Sequence, residues 1–261
     1  MTDMRAVFDG PADGPVLVLG PSLGTDFGLF DAQVATLAER YRVLRFNLPG
    51  HGGAPAPPGP YSMAGMAGDV LALLDHHGIE RCHYAGVSIG GAIGLQLALD
   101  AGHRLASLTV CASSARFADP GSWPVRAATV RAEGTAAMLA SRAGTWYTHE
   151  FARREPAESG RLLDMLRGTA AEGYAGCCEA IATFDVRDRL GEIRVPTLAL
   201  AGADDPATPP EMLRQIAEGV PHARMVVVPD TAHLLNVEAP GAVNHELAAH
   251  LVNASSEAGH G

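Results

Sequence analysis

Gly86-Val87-Ser88-Ile89-Gly90-Gly91 stands where an apolar run, Cys82–Val87, ends and an apolar helical pattern, Ile89–Ala101, begins. A strand that passes straight into a helix must turn sharply. Glycines on both sides of the serine leave room for that turn and for neighbouring backbone. Such a turn holds the serine in a strained conformation with its hydroxyl exposed. The helix behind it aims free N–H groups and a positive dipole end at the same point. A Gly-x-Ser-x-Gly pentapeptide is common; one lodged between a strand and a helix is where a nucleophilic serine belongs.

The same alternation continues on both sides. Apolar runs at 16–19, 41–46, Leu105–Cys111, 197–201 and 225–228 read as strands, and helical spacing appears at 30–39 and 66–76. Strands alternating with helices predict an α/β fold with a mostly parallel central sheet flanked by helices. From 118 to 187 the rhythm stops. Helical stretches at 125–133, 136–142 and 159–171 are separated by Gly and Pro, with no strand pattern. The expected organisation is a core of 1–117 and 188–261 carrying a helical cap, 118–187, long enough to act as a lid. The tail, 255–261, is expected to fray.

A serine nucleophile needs a base, and the base needs an orienting acid. Both should follow late strands, at the carboxyl ends where open α/β sheets place their sites. The run at 197–201 leads to Gly202-Ala203-Asp204-Asp205-Pro206, and the run at 225–228 leads to Pro229-Asp230-Thr231-Ala232-His233. This assigns Ser88, Asp205 and His233 as the triad, with Asp204 the alternative acid. Asp205 is preferred because the residue before Pro206 fits a Gly-x-x-Asp pattern. An oxyanion needs two donors. The N–H of Ile89 is one candidate, and the N–H of Leu23, in Pro21-Ser22-Leu23-Gly24, is the other.

Composition narrows the partners. The chain has 261 residues, 47% hydrophobic and 18% charged, with a formal net charge of −10. Its size suits a sizeable core, and its acidity argues against nucleic acid and anionic membrane surfaces as partners. All 19 basic residues are arginine, which removes Schiff-base chemistry and lysine bases. The cysteines, Cys82, Cys111, Cys177 and Cys178, include no Cys-x-x-Cys pair, so neither a disulfide framework nor a zinc site is expected. No histidine group has ligand spacing, and no cofactor fingerprint stands out, so neither metal nor cofactor is expected. Met1-Thr2-Asp3-Met4-Arg5 lacks a leader pattern and no run is long enough to span a membrane, so a cytoplasmic location is expected.

The whole chain resembles the α/β-hydrolase superfamily and is most similar to bacterial 3-oxoadipate enol-lactonases. The resemblance rests on Ser22-Leu23-Gly24-Thr25-Asp26, Gly50-His51-Gly52, the Ser88 turn, Gly173-Tyr174-Ala175-Gly176 with Cys178, and Ala232-His233-Leu234-Leu235-Asn236-Val237-Glu238. It implies a cofactor-free esterase-type hydrolase of aromatic catabolism, in the β-ketoadipate pathway. Such an enzyme opens a small anionic lactone, with Ser88, Asp205 and His233 as triad and Leu23 and Ile89 as oxyanion donors. The family often has arginine where Pro49 and Thr145 stand. A substrate carboxylate would then need another cation, and Arg126, in a Trp-x-x-Arg pattern with Trp123, comes first and Arg116 second. Trp123 and Trp146 are expected to line the pocket. Two other readings stay open: a hydrolase of another small ester, lactone or C–C bond, and a hydrolase-fold protein that binds without turnover.

Overall fold

The computed structural model describes residues 4–258. Among these residues the strands are β1 (Ala6–Asp9), β2 (Val16–Gly20), β3 (Arg42–Phe46), β4 (Cys82–Val87), β5 (Leu105–Cys111), β6 (Thr197–Gly202) and β7 (Ala223–Val228). They form one sheet in the order β1-β3-β2-β4-β5-β6-β7. Only β1 and β3 pair antiparallel; the other neighbours are parallel. Parallel neighbours need crossovers, and helices supply them. In chain order these are α1 (Asp31–Leu37), α2 (Met63–His76), α3 (Ile89–Ala101), α4 (Ser122–Glu133), α5 (His149–Arg154), α6 (Pro156–Arg167), α7 (Ala171–Thr183), α8 (Pro210–Gly219), α9 (Leu235–Glu238) and α10 (Pro240–Ala258). Helices α4 to α7 all lie between β5 and β6.

The centre of the sheet explains why the middle of the pattern is legible. All six residues of β4 are buried, and so are eleven of the thirteen residues of α3. A helix with no polar face belongs inside, and each fully buried Leu or Ile there contributes about 1.5–3 kcal/mol. Strand β1 escapes sequence reading for the opposite reason. It is four residues long, half-buried throughout, and sits at the sheet edge, so neither alternation nor a continuous apolar run marks it.

Three other expectations shift. The stretch 136–142 forms a 3-10 helix over Thr135–Ser141, not an α-helix. The helix expected at 159–171 is α6, which stops at Arg167 before Gly168, and α7 starts afresh at Ala171. The tail expected to fray is helical through Ala258; residues 259–261, like Met1-Thr2-Asp3, lie outside the described residues. The four cysteines are buried and free.

Glycines at the end of β4 set how closely the layers meet. A Cβ on Gly86 would stand 2.2 Å from the carbonyl carbon and oxygen of Gly90, and one on Gly90 would stand 2.2 Å from the Gly20 oxygen. The ends of β2 and β4 and the first turn of α3 therefore touch backbone to backbone. Neither backbone can yield locally, so Gly90→Ala should lose about 3 kcal/mol of stability or more in urea denaturation. Gly68→Ala is the internal contrast. That glycine lies within α2 with nothing within 4 Å of an added Cβ, and its replacement should gain up to about 1 kcal/mol. Equal effects at the two positions would contradict the steric account.

Candidate active site

Ser88 has φ 58° and ψ −119°, the left-handed half of φ that a non-glycine residue occupies only when its surroundings force it. Two contacts do so. Its N–H donates to Cys111 O at 2.8 Å, and Ser113 Oγ donates to its carbonyl oxygen at 2.6 Å, so the end of β5 grips both sides of the residue. Ile89 is the first residue of α3, and a helix's first N–H groups have no partner inside the helix.

Asp205 is buried and Asp204 is exposed. Asp205 Oδ2 lies 2.8 Å from His233 Nδ1, so between the two candidate acids it is Asp205 that meets the histidine. Its other partners hold it still. Oδ1 accepts from the N–H groups of Ala207 and Thr208 at 2.8 and 3.1 Å, and Oδ2 accepts from Thr208 Oγ1 at 2.7 Å. Burial alone would raise the Asp205 carboxyl. The His233 ring and the Thr208 hydrogen bonds outweigh it and keep the group below the usual carboxylate value. Asp205 thus stays a charged acceptor, and its bond at Nδ1 leaves Nε2 as the nitrogen open to a reacting group.

His233 sits in a turn tied down from three directions. Its N–H donates to Thr145 O at 3.3 Å, and the next N–H, of Leu234, donates to Trp146 O at 2.7 Å. The carboxylate of Glu238 is divided: Oε1 accepts from Ala232 N at 2.7 Å, and Oε2 accepts from the N–H and hydroxyl of Thr148 at 3.0 and 2.8 Å. Beyond the turn, buried Gln33 donates to Asn236 O and Asn244 Oδ1, both at 3.0 Å. These bonds fasten α9 and α10 to α1.

The Ser22–Leu23–Gly24 loop is braced by His51, which is fully buried. Gly24 N donates to His51 Nε2 at 3.0 Å, and His51 Nδ1 lies 2.8 Å from Pro49 O. The Nδ1–H, Nε2-acceptor tautomer satisfies both at once. Burial draws His51 down to about 4, although the Pro49 carbonyl acts the other way. Asn47 continues the brace, accepting from Phe27 N at 2.7 Å and donating to Gly52 O at 3.1 Å. On the other side, Gly24 has φ 82° and lies against Leu166 and the Trp146 ring.

These parts meet at a cavity of about 170 Å³. Ser88, His233, Leu23, Trp123, Arg126 and Trp146 all line it, so most of the residues singled out in the sequence come together. Asp205 stands behind His233, and Ile89 is buried beneath the turn. Arg116 does not line the cavity; it is partly exposed and pairs with Asp185 at 3.6 Å. Among the lining residues that sequence reasoning passed over are Thr208, Tyr174 and Arg142. Tyr174 lay inside a quoted motif, whose logic is now visible. Gly173 lets α7 settle on the backbone of Pro49 and Gly50, and Gly176 lets it settle on Tyr61, which carries Tyr174 to the cavity. Arg142 carried no signal beyond standing four residues before Trp146. A larger hollow, about 640 Å³, opens beside Pro55, Pro57 and Tyr61, but no histidine lines it.

Among the described residues no group of three or more His, Cys, Asp or Glu could hold a metal ion. No described helix is long and apolar enough to cross a membrane.

The model of the alpha/beta hydrolase fold family matches residues 15–240. The 3-oxoadipate enol-lactonase 2 of Acinetobacter baylyi is 36% identical over 92% of this chain and 90% of its own length. RutD of Azorhizobium caulinodans, named for carbamate hydrolysis, is 33% identical over 90% of each chain. The crystal structure of the enol-lactonase from Burkholderia xenovorans LB400 superposes with a TM-score of 0.94 at 36% identity, covering 96% of this chain and 97% of that one.

The buried neutral histidine has a measurable consequence. The unfolded chain takes up a proton at residue 51 near pH 6.5, and the folded chain does so only near 4. Stability is therefore full above about pH 6.5 and drains as pH falls toward 4, by about 2–3 kcal/mol for this one site. His83, buried against Ser107 and likewise drawn down to about 4, chiefly by burial, adds a second loss of the same sign. Urea denaturation at pH 7 and pH 4.5 reads the total, and His51→Gln should shrink the difference by about 2 kcal/mol. A difference unchanged by the substitution would mean that His51 titrates normally.

Proposed function

The chain belongs to the α/β-hydrolase fold family, and from that premise we propose that it is a serine-dependent, esterase-type hydrolase of a small carboxylated lactone. The lactone is 3-oxoadipate enol-lactone, opened to 3-oxoadipate. The observation that carries this reading is the meeting of Ser88 and the Asp205-paired His233 with two arginines around one small cavity. A cavity of about 170 Å³ suits a compact ring and not a long acyl chain. Similarity to the enol-lactonases of A. baylyi and B. xenovorans supports the choice of substrate.

In this mechanism Ser88 Oγ attacks the lactone carbonyl carbon while His233 Nε2 takes the hydroxyl proton. Asp205 holds the ring in the required tautomer and stabilises the imidazolium. The Leu23 and Ile89 N–H groups receive the oxyanion. Collapse of the tetrahedral intermediate breaks the ring C–O bond and expels an enolate, which takes the proton held by His233 and becomes the ketone. Water, giving its proton to His233, then attacks the acyl carbon and releases Ser88, so one water is consumed per lactone. Residues 118–187 act as a lid, contributing Trp123, Arg126 and Trp146 to the cavity wall. Arg126, held over the Trp123 ring at 4.5 Å, offers the substrate carboxylate a cation that a neutral carbamate or ester would not use.

Ser88→Ala should cost at least ~10³-fold in kcat on the enol-lactone; activity within tenfold of the parent would remove Ser88 from the role. The two aspartates separate the acid from its neighbour. Asp205→Asn should fall by roughly 10³-fold or more through the wrong His233 tautomer, and Asp204→Asn should stay within about threefold. Steady-state kinetics on the enol-lactone, its methyl ester and a small carbamate tests the substrate. A higher kcat/KM on either neutral compound would transfer the assignment to a general small-ester or carbamate hydrolase.

A further inference from the structure

Two arginines of this chain are almost wholly buried, and the fold treats them in opposite ways. Arg45 is 8% exposed and has two carboxylates, Asp9 and Asp31, each at 2.8 Å. Arg142 is 6% exposed and has no carboxylate partner among the described residues. Its Nη2 donates to Ser141 Oγ at 2.8 Å, its guanidinium lies 5.4 Å from the centre of the Trp146 ring, and its Nε has no hydrogen-bond partner. A buried charge without a counter-charge is strongly disfavoured unless something else supplies the opposite sign.

The groups around Arg142 do not supply it. The charged and titratable groups facing it are Arg126, Tyr174, Tyr147 and Cys178. Arg126 is a second cation, with no ion pair of its own among the described residues. Burial pushes Tyr174 and Cys178 up to about 12 and raises Tyr147, so all three are neutral near pH 7. The Tyr174 hydroxyl is buried, faces Arg126 without reaching hydrogen-bond geometry, and has no other partner. Arg126, Arg142 and Tyr174 all line the cavity that holds Ser88 and His233. One wall of that cavity therefore presents two guanidinium groups and a phenol, with donors unspent and no anion.

We infer that Arg142 is a specificity-determining residue: with Arg126 and Tyr174 it forms a carboxylate clamp facing Ser88, and the clamp takes free short-chain carboxylic acids as well as carboxylated substrates. The planar guanidinium fork matches a carboxylate in shape and charge, and a phenol adds a third donor. Burial makes Arg142 the prong that cannot turn away to solvent. The inference rests on the Ser88 centre proposed above and adds a consequence to it. Hydrolysis of a carboxylated lactone creates a second carboxylate at Ser88, so the product is a dicarboxylate with one end in the clamp. Free aliphatic dicarboxylates of similar length should then compete with substrate.

Adipate is the probe, because its binding can be read without turnover. Calorimetry on the full-length protein should show adipate binding, with adipamide, its neutral diamide, at least 30-fold weaker. Equal affinity for the two would overturn the clamp whatever any variant does. Arg142→Gln should weaken adipate at least tenfold. It should also shift the kcat/KM ratio of the enol-lactone over its methyl ester at least 30-fold toward the ester. Arg142→Lys, which keeps the charge and loses the fork, should fall between. If Arg142→Gln does not fold, the lysine variant and the adipamide comparison carry the test. Adipate binding lost in Arg142→Gln, with the lactone not hydrolysed even by the unmutated protein, would support the clamp and reject the substrate assignment. A hydrolysed lactone with both readouts within threefold in Arg142→Gln would reject the clamp and leave the substrate assignment standing.

Discussion

The steric constraint on which the rest depends is the backbone contact between Gly20, Gly86 and Gly90. It brings the ends of two strands and the start of α3 closer than any side chain would permit. Ser88 is pressed into its left-handed conformation there, and the strain is borne by a buried strand and a buried helix, the parts of the molecule least able to relax. Each other component is placed relative to that point. The Ser22–Gly24 loop leaves β2 directly after Gly20. Asp205 and His233 follow β6 and β7. Separate segments that share a sheet edge are thus delivered to one cavity without having to contact each other along the chain.

The electrostatic plan runs against the composition. A chain of net charge −10 has gathered two arginines at a small internal surface whose lining includes no carboxylate; Asp205, behind His233, is committed to that ring. In a low-dielectric cavity such an arrangement acts far more strongly on a ligand than the same charges would on the surface. Arg116 shows the contrast: it lies at the surface, outside the cavity lining, and pairs with Asp185.

How much of this could be read from residues alone follows from physical scale. The Ser88 turn, Asp205 and His233 were legible because each is a short local pattern tied to the end of a buried strand. The Ser22–Gly24 loop, directly after β2, was legible by the same logic. Strand β1 was not, because a half-buried four-residue edge carries no periodicity. Arg142 was not, because arginines on the helical segment look alike until the fold decides which of them is enclosed. The segment holds eight arginines against nine acidic residues, and no spacing rule says which will lack a partner. His51 was visible as part of Gly-His-Gly, but its work of holding Gly24 is done across 27 residues, a distance at which sequence patterns are silent.

Glu238 gives the helical segment an unexpected status. One oxygen of its carboxylate holds the amide of Ala232, beside His233, and the other holds Thr148 of the helical segment. Any movement large enough to part Thr148 from that carboxylate also disturbs the brace beneath the histidine. Under the proposed mechanism, opening this side of the cavity would disarm His233 in the same event, and the segment would serve as a safety catch as much as a cover.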